Sequence, residues 1–268
     1  MQNPPLQNSF TAIVLAGDRG PNDPLAEASG SCCKALVEIE GTPMLLRVLE
    51  TLAASKSIQQ CILSGPEKRW LNNSPDFEQL INSSEVSWLA PQPTPSTSAY
   101  QAMQTLQDER PVLITTADHP LLTAEIVDYF CTHSQAQQLD VAVGLCDYER
   151  IRTAFPGIRK TVMKFRGGNY CGCNLFAFLT SDARRLANDW RQVESERKNP
   201  LRIIRLLGWY SVLRYLTGSL TLENALQRLS KKLGLRIGTV ILPFPEAAVD
   251  VDTVADRLLV QKTLSAKK

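Results

Sequence analysis

The run Val112-Leu-Ile-Thr-Thr-Ala117 is apolar or β-branched at every position. A strand with one face in water alternates polar and apolar side chains. An unbroken run of this kind belongs to a strand covered on both faces, the interior of a mostly parallel sheet. Strand-like runs also occur at 12–16, 60–64, 86–90, 141–145, 161–165, 174–178 and 236–242. Helix-like patterns lie at 43–55, 98–106, 124–133, 181–194, 201–216, 222–233 and 254–264. The first half therefore reads as alternating strand and helix. That order predicts a three-layer α/β/α fold with a mostly parallel, Rossmann-like central sheet. The stretch 181–235 carries helical patterns with no strand between them, an all-helical insert. With 268 residues, the chain is expected to form a single domain over 11–265 behind a disordered tail at 1–10.

In a parallel sheet the C-terminal ends of the strands share one edge, and that edge is where ligands bind. The first strand runs into Leu15-Ala16-Gly17-Asp18-Arg19-Gly20, and Lys34 and a Gly41-Thr-Pro43-Met44 turn follow. Glycine lets backbone N–H groups approach an anion, and Arg19 and Lys34 add positive charge. Leu15, Ala16, Gly17 and Asp18 are thus candidates to line a phosphate, although a plain strand-to-helix turn would also tolerate these glycines. The Walker and dinucleotide glycine patterns are both absent. Just past the buried strand stands Asp118-His119-Pro120. A carboxylate there suits Mg²⁺, which takes oxygen ligands and keeps several waters; capping the following turn is the plain alternative. His119 reads as a packed or locally bonded residue. Near the C-terminus, Asp250-Val-Asp252-Thr253 has period-2 spacing, which puts both carboxylates on one side of an extended segment. Asp250 is the candidate metal ligand beside Asp118, and Asp252-Thr253 the candidate helix cap. Around Gly167-Gly168, Asn174 lies at the start of a strand and could face a substrate, or the segment is a simple hairpin.

Together these segments resemble the nucleotidyltransferases of the GT-A-type fold, and most of all their molybdenum-cofactor nucleotidyltransferase-like (MobA-like NTP transferase) branch. The matching residues are Leu15-Ala16-Gly17, Arg19, Lys34-Ala35-Leu36, Gly41-Thr42-Pro43-Met44, Asp118-His119-Pro120-Leu121 and Asp250-Val251-Asp252-Thr253. The chain departs from the pattern at Asp18, which stands where a second loop glycine is usual, and in a loop lengthened by Pro21, Asp23 and Pro24. The resemblance implies an acceptor phosphate attacking the α-phosphorus of a nucleoside triphosphate, with Mg²⁺ on Asp118 and Asp250 and with Arg19, Lys34 and Asp118 as catalytic residues. It further implies that Gly65, after the second strand, and Ser98, in the Ser96–Ser98 segment, lie beside the nucleotide. The acceptor would be a sugar, cofactor or alcohol phosphate held by Lys164 and Asn174.

The balance of 29 basic and 27 acidic residues gives no overall field for nucleic acid. Seven cysteines without a Cys-x-x-Cys pair read as reduced cytoplasmic thiols, and no stretch is apolar enough to span a membrane. The helix pattern at 201–216 is apolar on most sides but carries Arg202, Arg205 and Arg214. Burial against the chain's own core or a homodimer mate, peripheral membrane contact, and a mobile lid all remain open for it. Two other functions share the expected fold. A GT-A glycosyltransferase would consume a nucleotide-sugar and usually carries Asp-x-Asp after the central strand. A nucleotide-binding module would retain the fold without turnover.

Overall fold

The computed structural model describes residues 9–18, 23–72, 75–82, 86–107, 109–185 and 209–266. Ten strands are present among them: β1 (Phe10–Leu15), β2 (Glu38–Ile39), β3 (Thr42–Pro43), β4 (Ile58–Ser64), β5 (Val86–Leu89), β6 (Val112–Thr116), β7 (Val141–Asp147), β8 (Met163–Phe165), β9 (Gly168–Phe178) and β10 (Ile237–Leu242). Eight of them form one sheet in the order β10-β7-β9-β6-β1-β4-β5, with β8 paired to β9. β1 runs parallel to β4 and β6, β4 to β5, and β7 to β10, whereas β9 is antiparallel to both β6 and β7. The mostly parallel sheet has helices on both faces. The helices Met44–Ala54, Ala124–Ala136 and Val254–Ser265 contribute to one apolar cluster. Pro95–Gln104 and Leu222–Leu233 pack on the other.

The expectation for Val112–Ala117 holds. β6 sits between β1 and β9, and Val112 and Leu113 are fully buried. Ala12, Ile13 and Val14 of β1 are also fully buried, each large side chain contributing about 1.5–3 kcal/mol by leaving water. Ser9 and Phe10, read as part of the tail, are both buried, and Phe10 opens β1; the rest of that tail, 1–8, lies outside the described residues. The helix Pro95–Gln104 starts earlier than its apolar pattern. Thr94 caps it in a capping box with Thr97, and Pro95 takes the first turn, so Ser98 lies inside the helix rather than at its cap. Four short helices, Pro24–Ala28, Lys68–Leu71, Pro75–Asn82 and Tyr148–Ala154, are too brief for periodicity to reveal. The first does have a legible start: Asp23 accepts from the amides of Leu25 and Ala26, both at 3.0 Å, with Pro24 next.

In the 181–235 region the described residues are helical at 181–185, Trp209–Leu216 and Leu222–Leu233. The last of these starts at Thr221 as N-cap and stops at Gly234 in the left-handed region, as its sequence requires. Leu226, Leu229 and Leu233, on one helix face, pack onto the sheet. No helix among the described residues is long and apolar enough to cross a membrane. All seven cysteines are free thiols, and only Cys32 is exposed.

The chain leaves β1 for β4 and β5 on one side, then returns to β6 on the other. That reversal opens a crevice at the C-terminal ends of β1, β4 and β6. The loops there approach closely. Ala16 donates to the Ser64 carbonyl at 2.8 Å, Ala117 to Leu15 at 3.0 Å, and Gly65 to Leu89 at 2.9 Å. Gly65 has φ +82°, and a Cβ at that position would lie 2.9 Å from the Gly17 nitrogen. Both constraints demand glycine. Gly65→Ala is therefore expected to destabilise the protein by about 1–3 kcal/mol and to displace the Gly17 loop. Denaturant melts would check this; wild-type stability in the variant would contradict the close approach.

Candidate active site

The crevice gathers side chains from four separated parts of the chain, beginning with Lys34. It opens a 3₁₀ turn, Lys34–Leu36, that leads into the β2–β3 hairpin. Glu40 and Gly41 close that hairpin with φ of +51° and +75°, the two positive values a two-residue turn of this hand needs. Pro43 then precedes Met44, the first residue of the next helix, so the Gly-x-Pro-Met pattern is a hairpin turn running into a helix start. Asp18 accepts from the Lys34 backbone N–H at 3.2 Å and so ties the end of the β1 loop to this turn. That contact accounts for an acidic residue where a glycine is usual. Burial is the larger influence and raises the Asp18 carboxyl, while the Lys34 amide pulls it down.

The Lys34 ammonium reaches Asp118 Oδ2 at 2.7 Å and also pairs with Asp252. Asp118 sits past the end of β6, where Thr116 Oγ1 donates to its Oδ1 at 2.6 Å. Its backbone carbonyl accepts from Val251 N at 3.0 Å, which lays the 250–252 segment alongside it. Val249 and Val251 are fully buried, so the alternating Asp250 and Asp252 turn toward the crevice, as their spacing predicts. Asp250 is paired with Lys160. Arg257, on the helix that follows, donates from Nε to the Glu38 carbonyl at 3.0 Å and so docks that helix on the hairpin below Lys34.

His119 is 2% exposed. The Asn174 amide donates to its Nε2 at 2.9 Å. Asn174 has φ +48° and lies where the β7–β9 register shifts between Val143 and Leu145. The bulge re-aims its side chain. Burial dominates at His119 and lowers its pKa, against the pull of Asp118 and Asp250, so the imidazole is uncharged at neutral pH. Burial alone would raise the Asp118 carboxyl. The positive character of His119 and Lys34, with hydrogen bonds from Lys34 and Thr116, outweighs it and holds the carboxyl at about 2. Burial likewise pulls the Lys34 ammonium down, and Asp118 and Asp252 overcome it to leave it above its usual value.

The structure thus brings together Leu15, Ala16, Gly17, Asp18, Lys34, Gly65, Asp118, Asn174 and Asp250 at one edge of the sheet. Arg19 lies outside the described residues. Ser98 is buried, and its Oγ accepts from Gln92 N at 2.9 Å, which shapes the loop next to Pro91; a Cβ on Gly17 would lie 3.0 Å from the Pro91 Cβ. Lys164 is exposed on β8, where its backbone N donates to the Tyr215 hydroxyl at 3.4 Å, and no described contact carries its side chain to the cluster. Asp252 does not cap the last helix. Thr253 is the N-cap, in a capping box with Asp256, and the Asp252 carboxylate is committed to Lys34 instead. Sequence reasoning missed Lys160, whose loop carries no motif, and Asp256, three residues after Thr253 in a capping-box spacing that could have revealed it. The Ser64 hydroxyl is buried without a partner at the end of β4, in register with Leu15 and Leu89.

The donor set suits a hard divalent cation. Asp118 is ionised throughout the neutral range, and Asp250 is held beside it by the Val251–Asp118 backbone bond. Among the described residues no group of three or more His, Cys, Asp or Glu gathers. Mg²⁺ needs no such cage, because one or two carboxylates with water and phosphate oxygens suffice.

The family model described as the MobA-like NTP transferase domain matches residues 12–233. The fold is similar to that of a hypothetical transferase from Thermus thermophilus, 29% identical, with a TM-score of 0.77 over 93% of this chain and 99% of that one. It is also similar to CMP:2-keto-3-deoxy-manno-octonic acid synthetase complexed with CTP (15% identity, TM-score 0.58, 97% of this chain and 100% of that one). A third is 4-diphosphocytidyl-2C-methyl-D-erythritol synthase from Anaerococcus prevotii (13% identity, TM-score 0.55, 97% of each chain). Likeness at such identities shows the fold. No curated protein matches the sequence.

The charge balance makes a measurable prediction. With its pKa lowered, Asp118 contributes stability above the ordinary carboxylate range and loses it as pH falls toward about 2. Lys34→Met leaves the burial and removes the ammonium. The Asp118 carboxyl is expected to rise from about 2, as read by ¹³C NMR titration. A carboxyl still titrating near 2 would show that Lys34 does not govern it.

Proposed function

The chain belongs to the MobA-like NTP transferase family, and from that premise we propose that it moves a nucleoside monophosphate from a nucleoside triphosphate to a phosphorylated small-molecule acceptor, releasing pyrophosphate. The observation that carries this reading is the Lys34 ammonium held between Asp118 and Asp252 where the β1 and β6 loops meet. A cation backed by carboxylates, beside a glycine loop at a switch point, matches a triphosphate's need for charge and backbone donors.

In this reading Leu15 and Ala16, whose strand-end pairing with β4 is closed by the Ala16 N–H on the Ser64 carbonyl, hold up the loop, and the amides of Gly17 and Asp18, with Arg19 and Lys34, receive the triphosphate. Their fixed dipoles and charges stabilise the negative charge that builds on the phosphates as the bond to pyrophosphate breaks. Asp118 and Asp250 would hold Mg²⁺, which when bound supplies charge neutralisation at the phosphate oxygens. An acceptor phosphate is anionic already, so positioning and electrostatics do the catalysis and no general base is required. Neutral His119, fixed by Asn174, fits a packing and orienting role better than proton transfer. The unpartnered Ser64 hydroxyl, with Gly65 and the Ser98 loop, would meet the nucleoside. On the acceptor side, Asn174 and Lys164 remain candidates.

Thermal-shift screening of CTP, GTP, UTP and ATP, each with Mg²⁺, tests the reading first. One nucleotide should raise the melting temperature of wild type but not of Lys34→Ala; no shift with any of them would contradict it. Pyrophosphate release against a panel of sugar, cofactor and alcohol phosphates then identifies the acceptor, since a glycosyltransferase or a binding module releases none. Asp118→Asn should still fold, with lowered stability, and lose about 10²-fold or more in transfer rate. EDTA should abolish transfer in wild type, and added Mg²⁺ should restore it; full activity in EDTA would remove the metal from the scheme.

A further inference from the structure

Lys160 belongs to none of the motifs, yet its side chain is only 10% exposed and its ammonium is paired with Asp250, which is 27% exposed. It comes from the loop after the helix Tyr148–Ala154 and meets the crevice at Asp250. Sequestering a lysine this deeply carries a desolvation cost that a partner must offset. Here the partner is the carboxylate assigned to the metal. The three crevice carboxylates, Asp118, Asp250 and Asp252, are thus met by two ammonium groups, with Lys34 serving two of them and Lys160 the third.

We infer that Lys160 is the resident counter-cation of Asp250, a positioning residue that occupies the carboxylate until a divalent metal displaces it. The inference rests on the reading that Asp118 and Asp250 take the metal. An ammonium and a divalent cation cannot both be served fully by the same carboxylate oxygens, so part of the metal's binding energy goes into breaking the Lys160–Asp250 pair. Free metal therefore binds weakly. Metal arriving with a polyanion binds better, because the released ammonium, a compact point charge with three donors, then has phosphate oxygens to meet. The two lysines thus couple metal entry to phosphate entry, and by linkage the coupling acts in both directions. Without Lys160 the crevice would hold an uncompensated carboxylate and would take up metal alone.

The test is a Mn²⁺ titration of the full chain without nucleotide, read by electron paramagnetic resonance. Lys160→Gln should bind Mn²⁺ tighter than wild type by about tenfold or more, while Lys160→Arg, which retains the charge, should bind it as weakly as wild type. Adding Asp250→Asn to Lys160→Gln should erase the gain. Unchanged or weaker binding in Lys160→Gln overturns the inference, as does a gain that survives Asp250→Asn. Acetic anhydride labelling of wild type gives a second measurement that does not depend on the variants folding. Mn²⁺ should increase acetylation at Lys160, and constant or reduced labelling would contradict its displacement. Neither readout contains nucleotide or acceptor. A failed pyrophosphate assay would count against the transferase reading; unchanged Mn²⁺ binding in Lys160→Gln would count against this inference where Asp250→Asn alone weakens Mn²⁺ binding, and against the metal assignment where Asp250→Asn alone changes nothing.

Discussion

The Lys34 ammonium shared by Asp118 and Asp252 is the contact on which the organisation of the crevice depends. It joins positions 84 and 218 residues apart in the chain. Everything around it secures one of the three partners. The Glu40–Gly41 hairpin and the Asp18 side chain fix Lys34, the buried β6 strand and Thr116 fix Asp118, and the alternation of Val249 and Val251 with the carboxylates fixes Asp252. The last helix then binds back to the hairpin through Arg257. The C-terminal segment is thereby part of the site, although it follows the sheet's final strand.

That arrangement sets the electrostatics. The crevice is neither a bare acidic cluster nor a basic patch; it holds opposite charges in close, partly desolvated pairs, where Coulomb interactions exceed those at an open surface. Pairs of this kind are poor sources of net stability, because desolvation consumes most of the attraction. They are well suited to exchange. Cations and anions that enter together can replace each half of a pair with a partner of the same sign. A nucleoside triphosphate with its metal is such a ligand.

Much of this was legible in the sequence because it rests on local rules. The apolar and β-branched run of β6 announced a strand buried on both faces, and the helix pattern at 222–233 forms with those limits. The period of Asp250 and Asp252 placed both carboxylates on one side. What escaped was non-local. Asp252 looks like a helix cap in one dimension, and only folding brings Lys34 to it. Lys160 stands in a motif-free loop, and its importance comes from where β7, β9 and the 245–252 segment converge. The positive φ at Asn174 belongs to a bulge, which no composition rule indicates. Short helices such as Lys68–Leu71 escaped because one turn has no period to detect.

The most direct measurement is a crystal structure of the protein with the stabilising nucleoside triphosphate and Mn²⁺, located by anomalous scattering. The anomalous peak is expected between the Asp118 and Asp250 carboxylates, with the phosphates on the backbone of 17–18 and on Lys34. A nucleotide bound away from the C-terminal ends of β1 and β6, or a peak remote from both carboxylates, would contradict it.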